Sequence, residues 1–245
     1  MKYFIVILQF LTRIPININI QVTREDFQKG VIFFPVTGLI IGAFDAAVYY
    51  SSGLIFSGSI PVFLVVAAHA AITGGIHMDG LSDTADGIFS GRTKDRILEI
   101  MKDSRVGTFG ALALIFLVLG KFTALSSVNK GQIISSLILA PVVARTLMTF
   151  MMYKRKYARD KEGMGDLFIG VLDRRNFLGA VIIGTVLVVI IGREKGLLVL
   201  GCCLIFTLLF RRYIEKQIGG ITGDILGATV ELDELLVYLI YAAMV

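Results

Sequence analysis

The sequence predicts an all-α protein, a polytopic helical bundle integral to a membrane, with about six to seven membrane helices joined by polar loops. The mean hydropathy of the 245 residues is +0.79, and 56% of them are hydrophobic. Only 18% are charged, whereas a soluble domain has about 25%. Stretches of about 20 apolar residues recur, and each is long enough to cross the hydrocarbon core. A very apolar soluble α-helical protein is the alternative, but the number of long apolar runs disfavours it.

The predicted elements follow the apolar runs along the chain. Residues 3–14 are apolar but too few to span a bilayer, so we expect them to lie at the interface or to enter it partway. Residues 1–8 resemble the apolar part of a signal peptide, but no cleavage site of small residues follows, so we expect them to be retained. We see no internal repeat and expect one domain, 1–245. The predicted spans are 31–50, 54–72, 108–128, 133–153, 177–192 and 196–210, followed by a short apolar tail at 235–245.

The positive charges predict how these spans are oriented. The first thirty residues and the loops 74–107, 154–176 and 211–234 carry nineteen of the twenty-four lysines and arginines. An even number of predicted spans separates these four segments, so all of them lie on one side of the membrane. The positive-inside rule places that side in the cytoplasm. The sequence therefore predicts polar cytoplasmic loops whose motifs converge on one face.

The most unusual stretch is 74–87, which places three aspartates among four glycines and a histidine. On a helix, Asp79, Asp83 and Asp86 are spaced i, i+4, i+7 and fall within about 60° of one another. Carboxylates so close repel each other unless a cation lies between them, and all-oxygen ligands favour Mg²⁺ or Mn²⁺ over zinc. A solvated acidic helix face beside a membrane is the alternative. The absence of lysine and arginine from Gly74 to Gly91 disfavours it.

A basic segment directly precedes the predicted span that starts at residue 108. Lys102 and Arg105 can neutralise phosphates, and Asp103 between them can be a further metal ligand. Gly107 and Gly110 would let a ligand approach the backbone at a helix start. The alternative is an ordinary basic segment that anchors a membrane helix.

Two further groups of polar residues lie near or inside the predicted spans. Asp224 and Glu231 have i, i+7 spacing after a glycine-rich lead-in, which suits metal or substrate binding, although a flexible loop explains it equally well. Asp45, Lys121 and Arg145 fall within spans and are costly there unless they pair or face a polar cavity. Arg145 or Lys121 could bind a diphosphate, and snorkelling to the interface is the alternative for Lys121.

Composition argues against several other kinds of site. The two cysteines, Cys202 and Cys203, are adjacent within an apolar run, so we expect buried thiols rather than a disulfide framework. Two histidines are too few for a zinc site of the usual kind. We expect membrane lipid and small-molecule substrates as partners, and no nucleic acid. A homo-oligomer is compatible with the sequence.

Five segments, taken together and in order, resemble the cobalamin synthase family, the adenosylcobinamide-GDP ribazoletransferases. The resemblance runs from residue 8 to about residue 231, and its central motif is highly specific. The mild departures, at Ile76, Met78 and Ser82, touch none of the acids. The segments are LQFLTRIP at 8–15, FPVTGLIIG at 34–42, GGIHMDGLSDTADG at 74–87, MKDSRVGTFG at 101–110 and TGDILGA at 222–228.

The resemblance implies a Mg²⁺-dependent enzyme of the inner, cytoplasmic membrane that acts in the last steps of cobalamin (vitamin B12) biosynthesis. Its reaction would join adenosylcobinamide-GDP to α-ribazole or α-ribazole 5′-phosphate and release GMP. The aspartate motif also looks like that of the CDP-alcohol phosphotransferases, an analogy only. We expect an aspartate rather than His77 as the base, because His77 points off the face of Asp79 on a helix. The expected catalytic and metal-binding residues are Asp79, Asp83, Asp86 and Asp103, and the expected substrate-binding residues are His77, Lys102, Arg105, Arg145, Asp224 and Glu231.

Two other classes of protein fit parts of the pattern. A transporter or ion channel would also have apolar helices, glycines and intramembrane charges. It would place its acids near the midplane, whereas this cluster follows the end of a predicted span. A membrane scaffold for other enzymes needs no metal site and leaves the aspartate spacing unexplained.

Overall fold

The computed structural model describes residues 1–16, 18, 21–159 and 163–244. Within these residues it contains helices and one isolated bridge between Tyr157 and Ile221, but no strand. The all-α prediction is therefore confirmed. The α-helices are α1 (Lys2–Leu11), α2 (Arg24–Gly30), α3 (Phe34–Gly53), α4 (Ile60–Thr73), α5 (Ile76–Ile88), α6 (Lys94–Ile100), α7 (Thr108–Ser127), α8 (Ile133–Met152), α9 (Arg174–Ile218) and α10 (Gly223–Ala243), with 3₁₀-helices at Val31–Phe33 and Met164–Leu167.

The membrane class is confirmed, but the bounds of the spans differ from those predicted. Among the described residues, four helical stretches are long and apolar enough to cross a membrane, and α4 and α5 together make a fifth although they are bent by 91°. The predicted span 54–72 fails alone because its helix begins only at Ile60 and has 14 residues. The four stretches are Arg24–Gly53, Thr108–Ser127, Ile133–Met152 and Arg174–Ile218.

The longest of these stretches, α9, is broken where the sequence predicted a connection between two spans. Arg193 has a left-handed φ of 51°. A Cβ atom on Gly196 would lie 2.6 Å from the carbonyl oxygen of Val188, so the chain folds back on itself here. Counting the two arms of α9 separately raises the number of spans by one.

Helix α8 lies at the centre of the bundle, and α7 and α9 lie outside it. Sixteen of the 20 residues of α8 are buried. In contrast, α7 exposes Phe116 and α9 exposes Ile190, as expected for helices that face lipid. The core is apolar where α8 meets its neighbours, apart from one group of charged side chains.

A sharp bend between α4 and α5 places the aspartate motif. Gly74 and Gly75 have φ values of 64° and 68°, which favour glycine because other residues rarely adopt them. The N–H of Arg13 donates to the carbonyl oxygen of Ile72 over 2.7 Å and ties the segment after α1 to this bend. As a result, α5 turns away from the direction of α4 and packs against α10.

Candidate active site

Helix α5 presents its aspartates on one side, as the i, i+4, i+7 spacing predicted. Asp79 is exposed and Asp83 and Asp86 are half-buried, whereas His77 and Gly80 on the other side are buried. The predicted helix is confirmed, and so is the prediction that its three aspartates lie on one side. Their roles in metal binding and catalysis stay predictions.

Two glycines allow α5 and α10 to pack closely, and this contact brings a fourth acid to the face. A Cβ atom on Gly80 would lie 2.7 Å from the carbonyl oxygen of Asp224, and one on Gly227 would lie 3.1 Å from Cα of His77. Larger residues would push the helices apart. Asp224, one of the expected substrate-binding residues, therefore begins α10 beside the aspartates of α5.

The acids at this contact outweigh the nearby positive charge. Asp79, Asp86 and Asp224 all interact electrostatically with Asp83, and Arg159 opposes them. Arg159 donates from Nη2 to Oδ2 of Asp224 over 2.6 Å. Burial nevertheless raises the pKa of the Asp224 carboxyl above its usual value, against the effect of Arg159. We call Asp79, Asp83 and Asp224 the acidic face, a set of carboxylates suited to a hard cation.

Asp86 forms hydrogen bonds with the backbone at the start of α7. Its carboxylate oxygens accept hydrogen bonds from the backbone N–H groups of Gly107 (2.7 Å) and Gly110 (2.9 Å), at the start of α7. A negative charge is favourable at a helix N-terminus because of the unpaired N–H groups and the helix dipole. The sequence predicted that these glycines admit a ligand to the helix start. In the structure they admit Asp86 instead.

The basic segment after α6 is held by a local ion pair. Arg105 donates from Nε to Oδ1 of Asp103 over 2.9 Å and from Nη2 to Oδ2 over 2.6 Å. Arg105 lowers the pKa of the Asp103 carboxyl to about 2. Both side chains, and Lys102 beside them, are at the surface. Metal binding by Asp103 and phosphate binding by Lys102 and Arg105 stay predictions, and Arg105 would have to exchange Asp103 for a phosphate.

Arg145 and Glu231, also expected to bind substrate, lie inside the bundle. They belong to a set of six buried side chains from five helices, which we call the buried charge network. Arg145 contacts Glu234, and Lys121 Nζ lies 2.6 Å from both Glu231 Oε2 and Glu234 Oε2. The network consists of Asp45 (α3), His69 (α4), Lys121 (α7), Arg145 (α8), and Glu231 and Glu234 (α10).

The network confirms that the intramembrane charges pair, and it corrects the snorkelling alternative for Lys121, which is only 5% exposed. Asp45 Oδ2 lies 2.7 Å from Nδ1 of His69. Glu234 was not predicted as a site residue, although its position three residues after Glu231 places both on one side of α10. The substrate-binding roles proposed for Arg145 and Glu231 stay predictions.

Part of this network resembles a metal site. In the part of the chain that the structure describes, candidate ligand atoms of His69, Glu231 and Glu234 lie within 4.8 Å of one another. Lys121 already supplies a positive charge between the two glutamates. We therefore assign no metal to this group.

Two cavities meet at Asp79. The inner pocket lies between α1, α3, α5, α8 and α10 and contains His77, Arg159 and Asp224 among its lining residues. The outer groove is larger, with a volume of about 1280 Å³ including space open to solvent, and contains Gln9, Thr12 and Arg13. Both cavities are lined by Phe10, Ile76, Asp79 and Met164.

The two arginines of these cavities were not predicted as site residues. Arg13 packs its side chain against Gly74, and Arg159 reaches Asp224 from the loop after α8. Arg13 stands within the segment 8–15 that carried the resemblance, so that motif was the available signal. Arg159 is one of seven basic residues in the loop 154–176, and nothing in the sequence distinguishes it from the others.

The fold and the site define a membrane-embedded helical enzyme, with Asp79 at the junction of two cavities that are each lined by one arginine. The family follows from comparison with known proteins. The chain belongs to the cobalamin-5-phosphate synthase family, whose model matches residues 3–242. The resemblance drawn from the sequence motifs is thereby confirmed.

Curated relatives match the chain over nearly its whole length. The adenosylcobinamide-GDP ribazoletransferase of Clostridium novyi (strain NT) is 44% identical over 236 residues, which cover 96% of this chain and 94% of the relative. The enzyme of the same name from Clostridioides difficile (strain 630) is 42% identical over 251 residues, covering 98% and 96%. That of Caldanaerobacter subterraneus subsp. tengcongensis is 40% identical over 245 residues, covering 100% and 99%. No solved structure matches the chain.

Proposed function

We propose that the protein is an adenosylcobinamide-GDP ribazoletransferase. It joins adenosylcobinamide-GDP to α-ribazole, or to α-ribazole 5′-phosphate, and releases GMP in the last steps of cobalamin biosynthesis. The family and the names of its relatives support this assignment. The observation that carries it in the structure is the position of Asp79, on the acidic face and at the junction of two cavities. A transferase needs two substrates to meet at one point.

The acidic face fits the Mg²⁺ that the family resemblance implies. Asp79, Asp83 and Asp224 offer only carboxylate oxygens, which are the ligands that Mg²⁺ prefers. Their mutual repulsion, with Arg159 as the opposing charge, leaves the site in need of a cation. Asp86 can contribute with an oxygen lone pair that its backbone partners leave free. When bound, Mg²⁺ neutralises charge on the diphosphate and on the leaving GMP.

The protein's own residues position the substrates and move one proton. Arg13 in the outer groove and Arg159 in the inner pocket lie where phosphate oxygens would meet the acidic face. A ribose hydroxyl of α-ribazole attacks the phosphorus that carries the cobinamide alkoxide. The new P–O bond forms, the bond to the bridging oxygen breaks, and the hydroxyl proton passes to an aspartate of the acidic face. His77, buried in the wall of the inner pocket, serves substrate binding.

The location of the enzyme is part of the same proposal. Exposed apolar residues on α7 and α9 support contact with membrane lipid, and the lysine and arginine distribution supports a cytoplasmic site in the inner membrane. Single cysteines placed at 92–100 and 212–216, in a protein without Cys202 and Cys203, should be labelled from the cytoplasmic side. Labelling of either segment only from the opposite side would contradict this orientation.

The decisive experiment is an assay of purified protein in lipid nanodiscs. GMP release is followed from adenosylcobinamide-GDP plus α-ribazole, with Mg²⁺ and with EDTA. We expect GMP and the cobalamin product in equal amounts, formed only with Mg²⁺. GMP without the cobalamin product would indicate hydrolysis, and neither product would contradict the proposed reaction. Activity that survives EDTA would contradict the metal.

A further inference from the structure

We propose that the inner pocket binds the flat heteroaromatic base of α-ribazole and that Met148, in its wall, determines the size of base that the enzyme accepts. This inference rests on the proposed function, because that function supplies a substrate with an aromatic base. It assigns the two cavities to the two substrates. The outer groove then holds the GDP-activated corrinoid.

The walls of the inner pocket suit a flat aromatic ring. Phe10, Phe34 and Phe168 line it from three different parts of the chain, and the Phe168 ring lies 5.4 Å from that of Phe10 and 5.7 Å from that of Phe34 between centroids. Aromatic side chains bind other rings by stacking and edge-to-face contact. Met148 and Met152 from α8 complete the apolar wall, and methionine adapts its shape to a ring edge.

The wall of the inner pocket contains a buried histidine with an unpartnered nitrogen atom. His77 is 5% exposed, and among the residues that the structure describes its Nδ1 atom has no hydrogen-bond partner. A buried polar atom without a partner costs free energy, so a ligand that supplies one is favoured. An imidazole-type base has a ring nitrogen that accepts a hydrogen bond, and a neutral histidine has one N–H to donate. A purely apolar ligand would leave His77 unpaired.

The geometry of the junction is consistent with this assignment. Asp79 lines both cavities, so a base held in the inner pocket would place its ribose at the acidic face. The inner pocket is smaller than the outer groove, at about 730 Å³ against about 1280 Å³, both including space open to solvent. The corrinoid with its nucleotide is much larger than α-ribazole and requires the wider opening. Arg13 in the outer groove can then meet the diphosphate.

The test compares three ribosides whose bases differ in size: benzimidazole, 5,6-dimethylbenzimidazole (α-ribazole) and naphthimidazole. The kcat/KM of each is measured in nanodiscs at saturating adenosylcobinamide-GDP. Met148→Phe narrows the pocket, and we expect the preference for benzimidazole over dimethylbenzimidazole to rise by about 10- to 200-fold, the usual effect of small apolar groups in a pocket. Met148→Ala widens it and should raise the relative rate with naphthimidazole. The KM for adenosylcobinamide-GDP should not change in either variant.

Met151→Ala is the matched control. Met151 lies three residues further along α8 and is fully buried, but it does not line the pocket. We expect it to keep the wild-type order and ratios of the three bases. The inference would be overturned if active Met148 variants kept the wild-type ratios of kcat/KM among the three ribosides. It would also be overturned if Met151→Ala changed these ratios as much as the Met148 variants do. If Met148→Phe does not fold, Met148→Ala decides.

A binding measurement separates this inference from the proposed function. Equilibrium dialysis of α-ribazole against the protein, without the nucleotide substrate, requires no transfer. We expect wild-type protein and Met151→Ala to bind α-ribazole and Met148→Phe to bind it at least about tenfold more weakly. Binding with this pattern but no GMP release would contradict the proposed reaction and support the pocket. If the enzyme carries out the transfer but Met148→Phe binds α-ribazole as tightly as the wild type, the assignment of the base to the inner pocket is contradicted and the proposed reaction is not.

Discussion

Lys121 Nζ lies 2.6 Å from Oε2 of Glu234 in the interior of the bundle, and this contact joins α7 to α10. Glu234 also contacts Arg145 of α8 and lies 3.0 Å from Nε2 of His69 in α4. One carboxylate thus holds three other helices against α10. Because α10 also carries Asp224, the buried charge network holds the helix that brings Asp224 to the acidic face.

We expect Glu234→Gln to destabilise the protein strongly. The substitution removes the carboxylate that pairs with Arg145 and one of the two that pair with Lys121. Breaking a buried pair in this way costs about 3–5 kcal/mol. Thermal unfolding of detergent-solubilised protein measures the effect, at about 2–4 °C in Tm per kcal/mol for a chain of this size. Glu215→Gln is the matched control, since Glu215 forms a half-exposed pair with Arg155 at 3.6 Å. A Tm for Glu234→Gln as high as that of the control would contradict the role of the network.

The acidic face yields a prediction about activity rather than stability. We expect Asp79→Asn and Asp83→Asn to lower kcat/KM by at least about 100-fold, because several kcal/mol of charge stabilisation are lost with the metal. Asp224→Asn should have a comparable effect, as it faces the same site from α10. Asp95→Asn, an exposed aspartate of α6, is the control and should retain activity. Full activity in any two of the three site variants would remove the metal-site hypothesis.

Asp86 should differ from the other aspartates in its effect on stability. Asp86→Asn weakens the two hydrogen bonds at the start of α7, because the amide keeps only one acceptor oxygen. We expect a loss of about 1 kcal/mol, the usual value of a helix cap, together with reduced activity. Asp79→Asn should leave the Tm unchanged in the same measurement. Equal Tm values for both variants would show that the contact with Gly107 and Gly110 does not stabilise the fold.

Arg105→Lys distinguishes phosphate binding from membrane anchoring. Lysine keeps the charge but cannot form two parallel hydrogen bonds to one phosphate. Loss of a charge-assisted contact of about 1.5–3 kcal/mol would lower kcat/KM by roughly 10- to 150-fold. Arg96→Lys is the control, because Arg96 forms an exposed i, i+3 pair with Glu99, and such pairs contribute little. Wild-type kinetics of Arg105→Lys would reduce Arg105 to an anchor and a partner of Asp103.

The features that could be predicted are those determined by a short stretch of consecutive residues. The acidic side of α5 follows from the i, i+4, i+7 spacing, and the break near Arg193 follows from the charged residues between the apolar runs 177–192 and 196–210. Both are observed. The bend at Gly74–Gly75 was not predicted, because adjacent glycines permit a left-handed turn without requiring it. That bend separates α4 from α5, whereas the predicted span 54–72 is short because its helix begins only at Ile60.

The contacts between distant segments could not be predicted. Arg159 reaches Asp224 across 65 residues, and Lys121 reaches Glu234 across 113. Spacing gives the face of a helix on which a residue lies, but not which other helix covers that face. The pairing of Asp45, Lys121 and Arg145 was expected from the cost of isolated charges in a membrane. Their partners His69 and Glu234 were found only in the structure.

The hydrogen bonds from Gly107 and Gly110 to Asp86 join points 21 and 24 residues apart in sequence. The intervening segment, which includes α6 and the Asp103–Arg105 pair, is therefore a closed loop whose two ends meet beside the acidic face. The entropy of closing a loop grows slowly with its length, by about 0.6 kcal/mol for each doubling. Changes in the length or charge of this loop should therefore cost little free energy, provided that its two ends stay joined. We expect insertions and deletions among relatives to concentrate between residues 89 and 101 and to avoid Asp86, Gly107 and Gly110.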